Sequence, residues 1–480
     1  MKIGFISLGC PKNLVDSEVM LGLARQAGHT LTTDASDADV LVVNTCAFID
    51  SAKRESIDAI LEMAAVKRAG RTRLVVTGCL AERYRDRLQR EIPEIDVLLG
   101  TNAVPEIVRA IEGTGDGDGR SGQGNGSAEV PRRVPVKLFR RDHGGAVTLP
   151  TAGIVEKPLP TYIYDAKTPR LLTTPKHYAY MKIAEGCDYK CAFCIIPKLR
   201  GAYRSRPIDS LVEEARNLVQ QGVREIILIS QDTTFYGVDR GERGALARLL
   251  RRLNAVDGVE WIRLLYLYPT TVDDGVLGAM AECERVCKYV DLPLQHASAA
   301  VLNRMKRPGT GTSYRRLLDR IRTRVPGVTL RTTFIVGFPG ETDGDFAELR
   351  AFARDVRFDH LGVFTYSHEE GTSAHALADD VPARVKAARR RALMKSQRTL
   401  VARLNRERIG TRVRLVVDGK AAEHELVLKG RMQGQAPEID SVVYLSDCDP
   451  TALAPGSFLV AEIVGARDYD LVARPVDSCP

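Results

Sequence analysis

The chain has 480 residues, 44% hydrophobic and 27% charged, with a formal net charge of +8. It is long enough for about two to four packed domains. No run of eighteen apolar residues occurs, and "MKIGFISLGC" lacks the basic flank and long apolar core of a signal peptide, so the sequence points to a soluble, cytoplasmic protein and excludes a membrane protein. In a reducing compartment the ten cysteines are metal ligands, catalytic groups or ordinary thiols, not a disulfide framework.

Residues 1–112 alternate short apolar runs with helical patterns. "KIGFIS", "DVLVVN", "RLVVTG" and "IDVLLG" are predicted strands, separated by stretches such as "SAKRESIDAILEMAAVKRAG". That alternation implies a parallel sheet with helices on its faces. Residues 113–172 are predicted linker. Their first part, "GTGDGDGRSGQGNGSAE" at 113–129, is too rich in Gly, Asp and Ser to build a core, and the Pro- and Thr-rich remainder suits irregular or edge structure. A second alternation fills 173–405, with "YAYMKIA", "REIILIS", "WIRLLYLY", "KYVDLPL", "TLRTTFIVG" and "HLGVFTYS" as six strands; six units indicate an open, partial barrel. After a basic helix around 383–408, residues 406–476 carry short strands with Gly and Pro turns, a small all-β barrel. Residues 411–480 hold 7 Lys/Arg against 11 Asp/Glu, leaving +12 on the remainder.

Cys187, Cys191 and Cys194 stand in a C-x3-C-x2-C spacing directly after "YAYMKIAEG". They therefore sit at the C-terminal end of a strand, the edge that hosts active sites in parallel α/β folds. Structural zinc wants four closed ligands, whereas an iron–sulfur cluster on three thiolates leaves one iron open to a reactant. Cys10, Cys46 and Cys79 each follow one of the first three predicted strands. Strand C-termini of a parallel sheet share one edge, so these distant thiols converge on a second three-thiol site; singly, each reads as a small buried residue. Cys283 and Cys287, one helical turn apart, and Cys448 and Cys479 read as ordinary thiols.

Other stretches at the predicted barrel mouth carry polar groups. Gly337 and Gly340 flank Pro339 in "FIVGFPGET", a turn that lets backbone approach a ligand. Ser230, Gln231, Asp232 and Thr233 end the second strand, Gln295 and His296 the fourth, and Tyr366, His368 and Glu369 the sixth. They could hold a nucleoside and an amino-acid moiety or simply cap the following helices.

With Phe193 before the last cysteine, Cys187, Cys191 and Cys194 resemble the cluster motif of the radical S-adenosylmethionine enzymes. Cys10, Cys46 and Cys79 in an N-terminal α/β domain, with a C-terminal barrel of the TRAM type, resemble the methylthiotransferases of that superfamily over nearly the whole chain. "SLGCPKNLVDSE", "TTPKHYAYMKIAEGC", "LPLQHAS", "RTTFIVGFPGET", "YSHEEGT" and "GRMQGQAPEID" are similar to the branch that methylthiolates an aspartate of small-subunit ribosomal protein twelve. The resemblance implies a multidomain α/β fold: a parallel-sheet domain, a partial (β/α)6 radical S-adenosylmethionine barrel, and a TRAM barrel. It implies two 4Fe-4S clusters, one on Cys187, Cys191 and Cys194 and one on Cys10, Cys46 and Cys79, and S-adenosyl-L-methionine as both radical source and methyl donor. Gly337, Gly340, Gln231, Asp232 and Gln295 are the candidate cofactor-binding residues, and no side chain serves as acid or base. Implied partners are a basic ribosomal protein, free or in the small subunit, a low-potential electron donor such as flavodoxin or ferredoxin, and a sulfur donor; nothing demands more than a monomer.

The acidic C-terminal barrel suits a basic protein better than RNA, with Glu438, Asp440, Asp447 and Asp449 as its expected contacts. The same chemistry on a tRNA adenosine is the nearest alternative. A non-catalytic iron–sulfur electron carrier or scaffold, and a zinc-dependent RNA-binding module, are alternatives of other classes.

Overall fold

Strands β1 (Lys2–Ser7), β3 (Val40–Thr45) and β4 (Arg73–Gly78), with the short β2 (Thr30–Thr32) and β5 (Val97–Leu99), form one parallel sheet in the order β2-β1-β3-β4-β5. Every residue of β3 is buried, as continuous apolar runs require when helices cover both faces. Helices α1 (Pro11–Gln26), α2 (Asp50–Val66), α3 (Cys79–Glu91) and α4 (Ile107–Glu112) supply that cover. The threonine-rich β2 has no apolar run and went unseen in the sequence. The computed structural model describes residues 1–67, 70–113, 159–421 and 426–476, so the Gly- and Asp-rich stretch after Gly113 and Cys479 lie outside the described residues.

Residues 159–177 run without helix or strand over helix α1 and into the second module. There β6 (Tyr178–Lys182), β9 (Glu225–Ile229) and β10 (Trp261–Leu264) make one parallel ladder, and β11 (Tyr289–Asp291), β12 (Thr329–Val336) and β13 (His360–Thr365) another; β7 (Ala184–Glu185) and β8 (Arg204–Ser205) form a small hairpin at the exit of β6. A single bridge, Ile262 to Val286, joins the two ladders into a six-stranded open arc. Alternate strand residues divide the two faces. Ala179, Met181, Ile226, Leu228, Ile262 and Val290 pack outward against the helices, while Tyr178, Tyr180, Ile227, Trp261 and Tyr289 form an inner cluster with Val15 and Val19 of α1.

That inner face also carries charge. Lys182, Glu225, Arg263 and Asp291 are each buried on it. Lys182 meets Asp16 of α1 at 2.5 Å, and Glu225 accepts from Arg431 of the third module at 2.8 Å.

The third module closes a barrel in the order β14-β15-β16-β18-β17, from β14 (Arg412–Lys420), β15 (Leu428–Met432), β16 (Val443–Leu445), β17 (Phe458–Arg467) and β18 (Asp470–Pro475). It seats on the N-terminal ends of the arc's strands, through His177–Asp418 (2.8 Å), Tyr178–Glu438 (3.1 Å), Tyr289–Asp440 (2.6 Å) and His360–Gly434 (2.8 Å). This corrects the expectation of an open acidic contact at Asp440, whose side chain is 1% exposed, while Glu438, Asp447 and Asp449 remain exposed. Glu438 and Asp440 accept hydrogen bonds from the arc, and of the four acids named only Asp447 and Asp449 remain clear of that seam.

Candidate functional site

The chain leaves β1 outward to β2 and returns past it to β3, so the crevice at the strand C-termini opens between β1 and β3, the usual ligand position in such sheets. Cys10, Cys46 and Cys79 leave the three contiguous strands β1, β3 and β4 at that edge. Two of them follow a glycine with positive φ, Gly9 at 91° and Gly78 at 92°. A Cβ on Gly9 would lie 2.6 Å from Cβ of Cys46, and one on Gly78 2.3 Å from Oδ1 of Asn44, so only glycine lets these loops close together. Asn13 donates to the carbonyls of Leu8 and Thr45, and Asn44 to the carbonyl of Asn13 and to Ser17, which ties the exits of β1 and β3 to α1. Cys46 and Cys79 are buried and Cys10 is exposed, leaving the set open on one side.

Cys187, Cys191 and Cys194 occupy the loop after β7. Gly186, at φ 88°, faces the carbonyl of Ala202 so closely that a Cβ would sit 2.0 Å from it. Ala192 pins the loop to the barrel, donating to the carbonyl of Met305 and accepting from the N–H of Ala374, both at 2.8 Å. Tyr189 stacks on Tyr268 at 3.8 Å, and Arg307 lies over the other ring at 4.2 Å while donating to Sγ of Cys191 at 3.7 Å.

A buried charge network bridges the two thiol sets. Arg200, at the end of α5 (Ile196–Arg200), donates to Sγ of Cys79 (3.5 Å), Oδ1 of Asn13 (3.1 Å), Asp16 (2.6 Å) and Glu185 (3.3 Å). Lys182 bonds the same two carboxylates at 2.5 Å each. Burial alone would raise the Glu185 carboxyl, but Lys182 and Arg200 outweigh it and hold it well below the usual range. Farther along the seam, Glu369 accepts from Lys53 and Arg83 of the first module, both at 2.9 Å. None of Asp16, Lys182, Arg200 or Arg307 was singled out from sequence. Lys182, a cation inside the apolar run "YAYMKIA", is the signal that could have found the network.

The sequence-predicted cofactor residues divide. Gln231 donates to Glu185 and leaves its Oε1 buried without a partner, an acceptor suited to a ligand N–H or O–H. Gln295, at φ 72°, bridges β11's exit to β12 through backbone bonds to Thr333 and Ile335. Neighbouring His296 is buried neutral, its pKa pushed down to about 3 by desolvation, with Nε2 unpartnered. Asp232 accepts from Thr234, Phe235, Tyr189 and Thr271, so its carboxylate holds the cysteine loop through Tyr189. Gly337 and Gly340 have φ near 75°, and the crowding they relieve comes from Lys386 and Arg304. Cys283 and Cys287 lie buried within the fold, away from both sets.

Within each set the thiols act on one another electrostatically: burial, then Cys79 and Cys10, push Cys46 up to about 12, and burial, with Cys191 and Cys187 adding to it, pushes Cys194 up to about 12. Three soft donors, one open side and mutual repulsion relieved by a bound cation fit an iron–sulfur cluster in both places. Among the described residues no three His, Cys, Asp or Glu side chains converge as a single-ion site. In the metal-free chain at pH 8, Cys46 should alkylate with iodoacetamide on the order of a thousandfold more slowly than an ordinary thiol. Its rate should climb as the pH approaches 12; equal labelling of Cys46 and a free small thiol at pH 8 would contradict the burial. The sign for stability follows: unfolded thiols ionise first, near 9, so the metal-free fold loses stability as the pH rises from there.

Family models match residues 2–100 as the uncharacterised protein family UPF0004, 181–353 as the radical SAM superfamily and 409–476 as a TRAM domain. Among solved structures, the radical S-adenosylmethionine methyltransferase TsrM from Kitasatospora setae shares the fold, with a TM-score of 0.51 at 18% identity over 75% of this chain and 72% of that one. The chain is 48% identical to the ribosomal protein uS12 methylthiotransferase RimO of Solibacter usitatus, over 100% of this chain and 96% of that protein. It is 46% identical to the protein of the same name from Desulforamulus reducens, over 98% and 99%. End-to-end identity at this level, across all three modules and both thiol-bearing loops, means that the chain belongs to the uS12 methylthiotransferase family of radical S-adenosylmethionine enzymes.

Proposed function

We propose that the chain attaches a methylthio group to the β-carbon of an aspartate in ribosomal protein uS12, with S-adenosylmethionine as radical source and methyl donor. The observation that carries this reading is the pair of three-thiol sites on separate modules, bridged by Arg200, in a chain whose full-length relatives carry that name. When bound, a 4Fe-4S cluster on Cys187, Cys191 and Cys194 supplies reductive cleavage of S-adenosylmethionine, and a second on Cys10, Cys46 and Cys79 supplies a place for sulfur.

The protein's own residues bind and orient. Gln231, with its free buried oxygen, and the half-buried Gln295 line the mouth where the cofactor's amino-acid and nucleoside parts would lie. Tyr189 and Tyr268 stack on each other, with Tyr189 donating to Asp232 and Arg307 lying over Tyr268, and keep the cysteine loop in one conformation. Arg200 and Lys182 neutralise Asp16 and Glu185 between the sites, so the seam stays closed without excess negative charge. An unactivated C–H bond lies beyond any side-chain acid or base, and none is required.

A low-potential electron donor such as flavodoxin or ferredoxin, a sulfur donor, a cytoplasmic location and a monomeric state complete the proposal. Among the described residues no helix is long and apolar enough to cross a membrane. The test is anaerobic reconstitution with reductant, methyl-labelled S-adenosylmethionine, and both small ribosomal subunits and tRNA from cells lacking this gene. Label recovered on uS12 as a methylthio group is the expected result. Label on RNA would move the activity to the tRNA alternative.

A further inference from the structure

In "CPKNLVDSE", residues 10–18, the polar side chains have a use inside the fold, with one exception. Asn13 ties the loops, Asp16 pairs with Lys182 and Arg200, Ser17 bonds Ser7, and Glu18 pairs with Arg170 at 2.6 Å and accepts from Thr173. Lys12 alone has no hydrogen bond or ion pair among the described residues. It is 9% exposed, and its Nζ rests 3.2 Å above the ring of Tyr266. A buried ammonium without an anion is costly, and a cation–π contact offsets only part of that cost.

Its place is the mouth between the two thiol sets. Lys12 lies two residues from Cys10 in the first turn of α1, and Tyr266 follows the C-terminal end of β10, held at φ 62° by its N–H bond to Asp291. The carboxylates around it are taken: Glu185 by Lys182 and Arg200, and Asp291 by Arg331 at 2.7 Å. Arg331 is shared between Asp291 and Asp440, and Lys182 and Arg200 between Asp16 and Glu185, so among these cations Lys12 alone has no carboxylate paired to it.

We propose that Lys12 is the recognition residue for the side-chain carboxylate of the target aspartate, which would supply the anion that Lys12 lacks as it enters between the two sites. The assignment rests on the function proposed above. Lys12 sets which residue is accepted, and the paired residues around it keep it from collapsing onto a neighbour. A neutral nucleobase would leave the ammonium unpaired, so the same residue disfavours RNA as substrate.

The test measures binding, separately from turnover. The full chain with its clusters, anaerobic and unreduced, is titrated with uS12 and with uS12 whose target aspartate, located by mass spectrometry of the labelled product, is replaced by asparagine. Wild type should prefer the aspartate form by roughly thirtyfold or more, as for one partner of a buried charge pair. Lys12→Arg should keep a preference, and Lys12→Met and Lys12→Gln should erase it, with near-ultraviolet circular dichroism as the folding control. Equal binding of both forms by wild type overturns the assignment, whatever becomes of the neutral variants. So does a neutral variant that still prefers aspartate, since Lys12 would then serve only to balance Cys10. If wild type labels uS12 yet either of these results appears, Lys12 is misassigned and the function stands; if wild type neither binds nor labels uS12, both readings fall.

Discussion

Cys191→Ala should abolish reductive cleavage of S-adenosylmethionine and halve the iron bound per chain, whereas Cys46→Ala should halve the iron and lose methylthio transfer while cleavage persists. The asymmetry comes from architecture. Cys191 sits on a loop pinned by Ala192 to Met305 and Ala374 of the barrel, and Cys46 leaves a strand of a different sheet. Removing a direct ligand should exceed the ~10–100-fold cost of losing an outer-shell partner, so each affected step should fall by more than about a hundredfold. Iron and sulfide analysis with assays for 5′-deoxyadenosine and modified uS12 separates the outcomes. Cleavage lost equally in both variants would show that the two thiol sets do not work as separate sites.

Arg431→Ala should destabilise the chain by about 3–5 kcal/mol, the range for removing one member of a buried ion pair. Arg431 is 1% exposed and joins Glu225, which is fully buried, to Asp418. Without it, among the described residues, Glu225 keeps only Arg263 at 2.7 Å, and Asp418 keeps only His177. The urea midpoint by far-ultraviolet circular dichroism reports the change; a loss below about 1 kcal/mol would mean that water reaches these carboxylates. Burial would raise the Glu225 carboxyl, but Arg431 and Arg263 outweigh it and hold it low. Its contribution is therefore present above pH 4.5, the ordinary glutamate value, and is lost as the pH falls through the lowered one.

The cysteines could be read from sequence because their signal is local: a thiol at the end of an apolar run, twice within "GC" after a strand in the first module and once more in "EGC". The positive φ at Gly9, Gly78 and Gly186 explains that dipeptide, which composition alone does not reveal. Six strands of the arc and a small all-β barrel after it likewise follow from apolar spacing and turn residues, whereas the barrel's five-strand order and closure come from the structure. What could not be read was pairing between distant charges. Asp16 with Lys182, and Glu225 with Arg431, are 166 and 206 residues apart, and although Lys182 stands out inside its apolar run, nothing local names the residue it pairs with. The acidic count of residues 411–480 misled at Asp440 for the same reason, since a sum of charges is blind to Tyr289 and Arg331 taking up its carboxylate.

The charged inner face of the arc bears on how such a chain can be recombined. Lys182 answers to the first module, and Glu225 and Arg263 to the third, where Arg263 donates to the carbonyl of Gln433 at 2.6 Å. A chimera whose middle segment lacks these charges would strand partners on both borders at once, even with every apolar position kept. Viable crossovers are therefore those that exchange the strand interiors together with α1 and the Arg431 strand, which makes the three modules one unit for recombination.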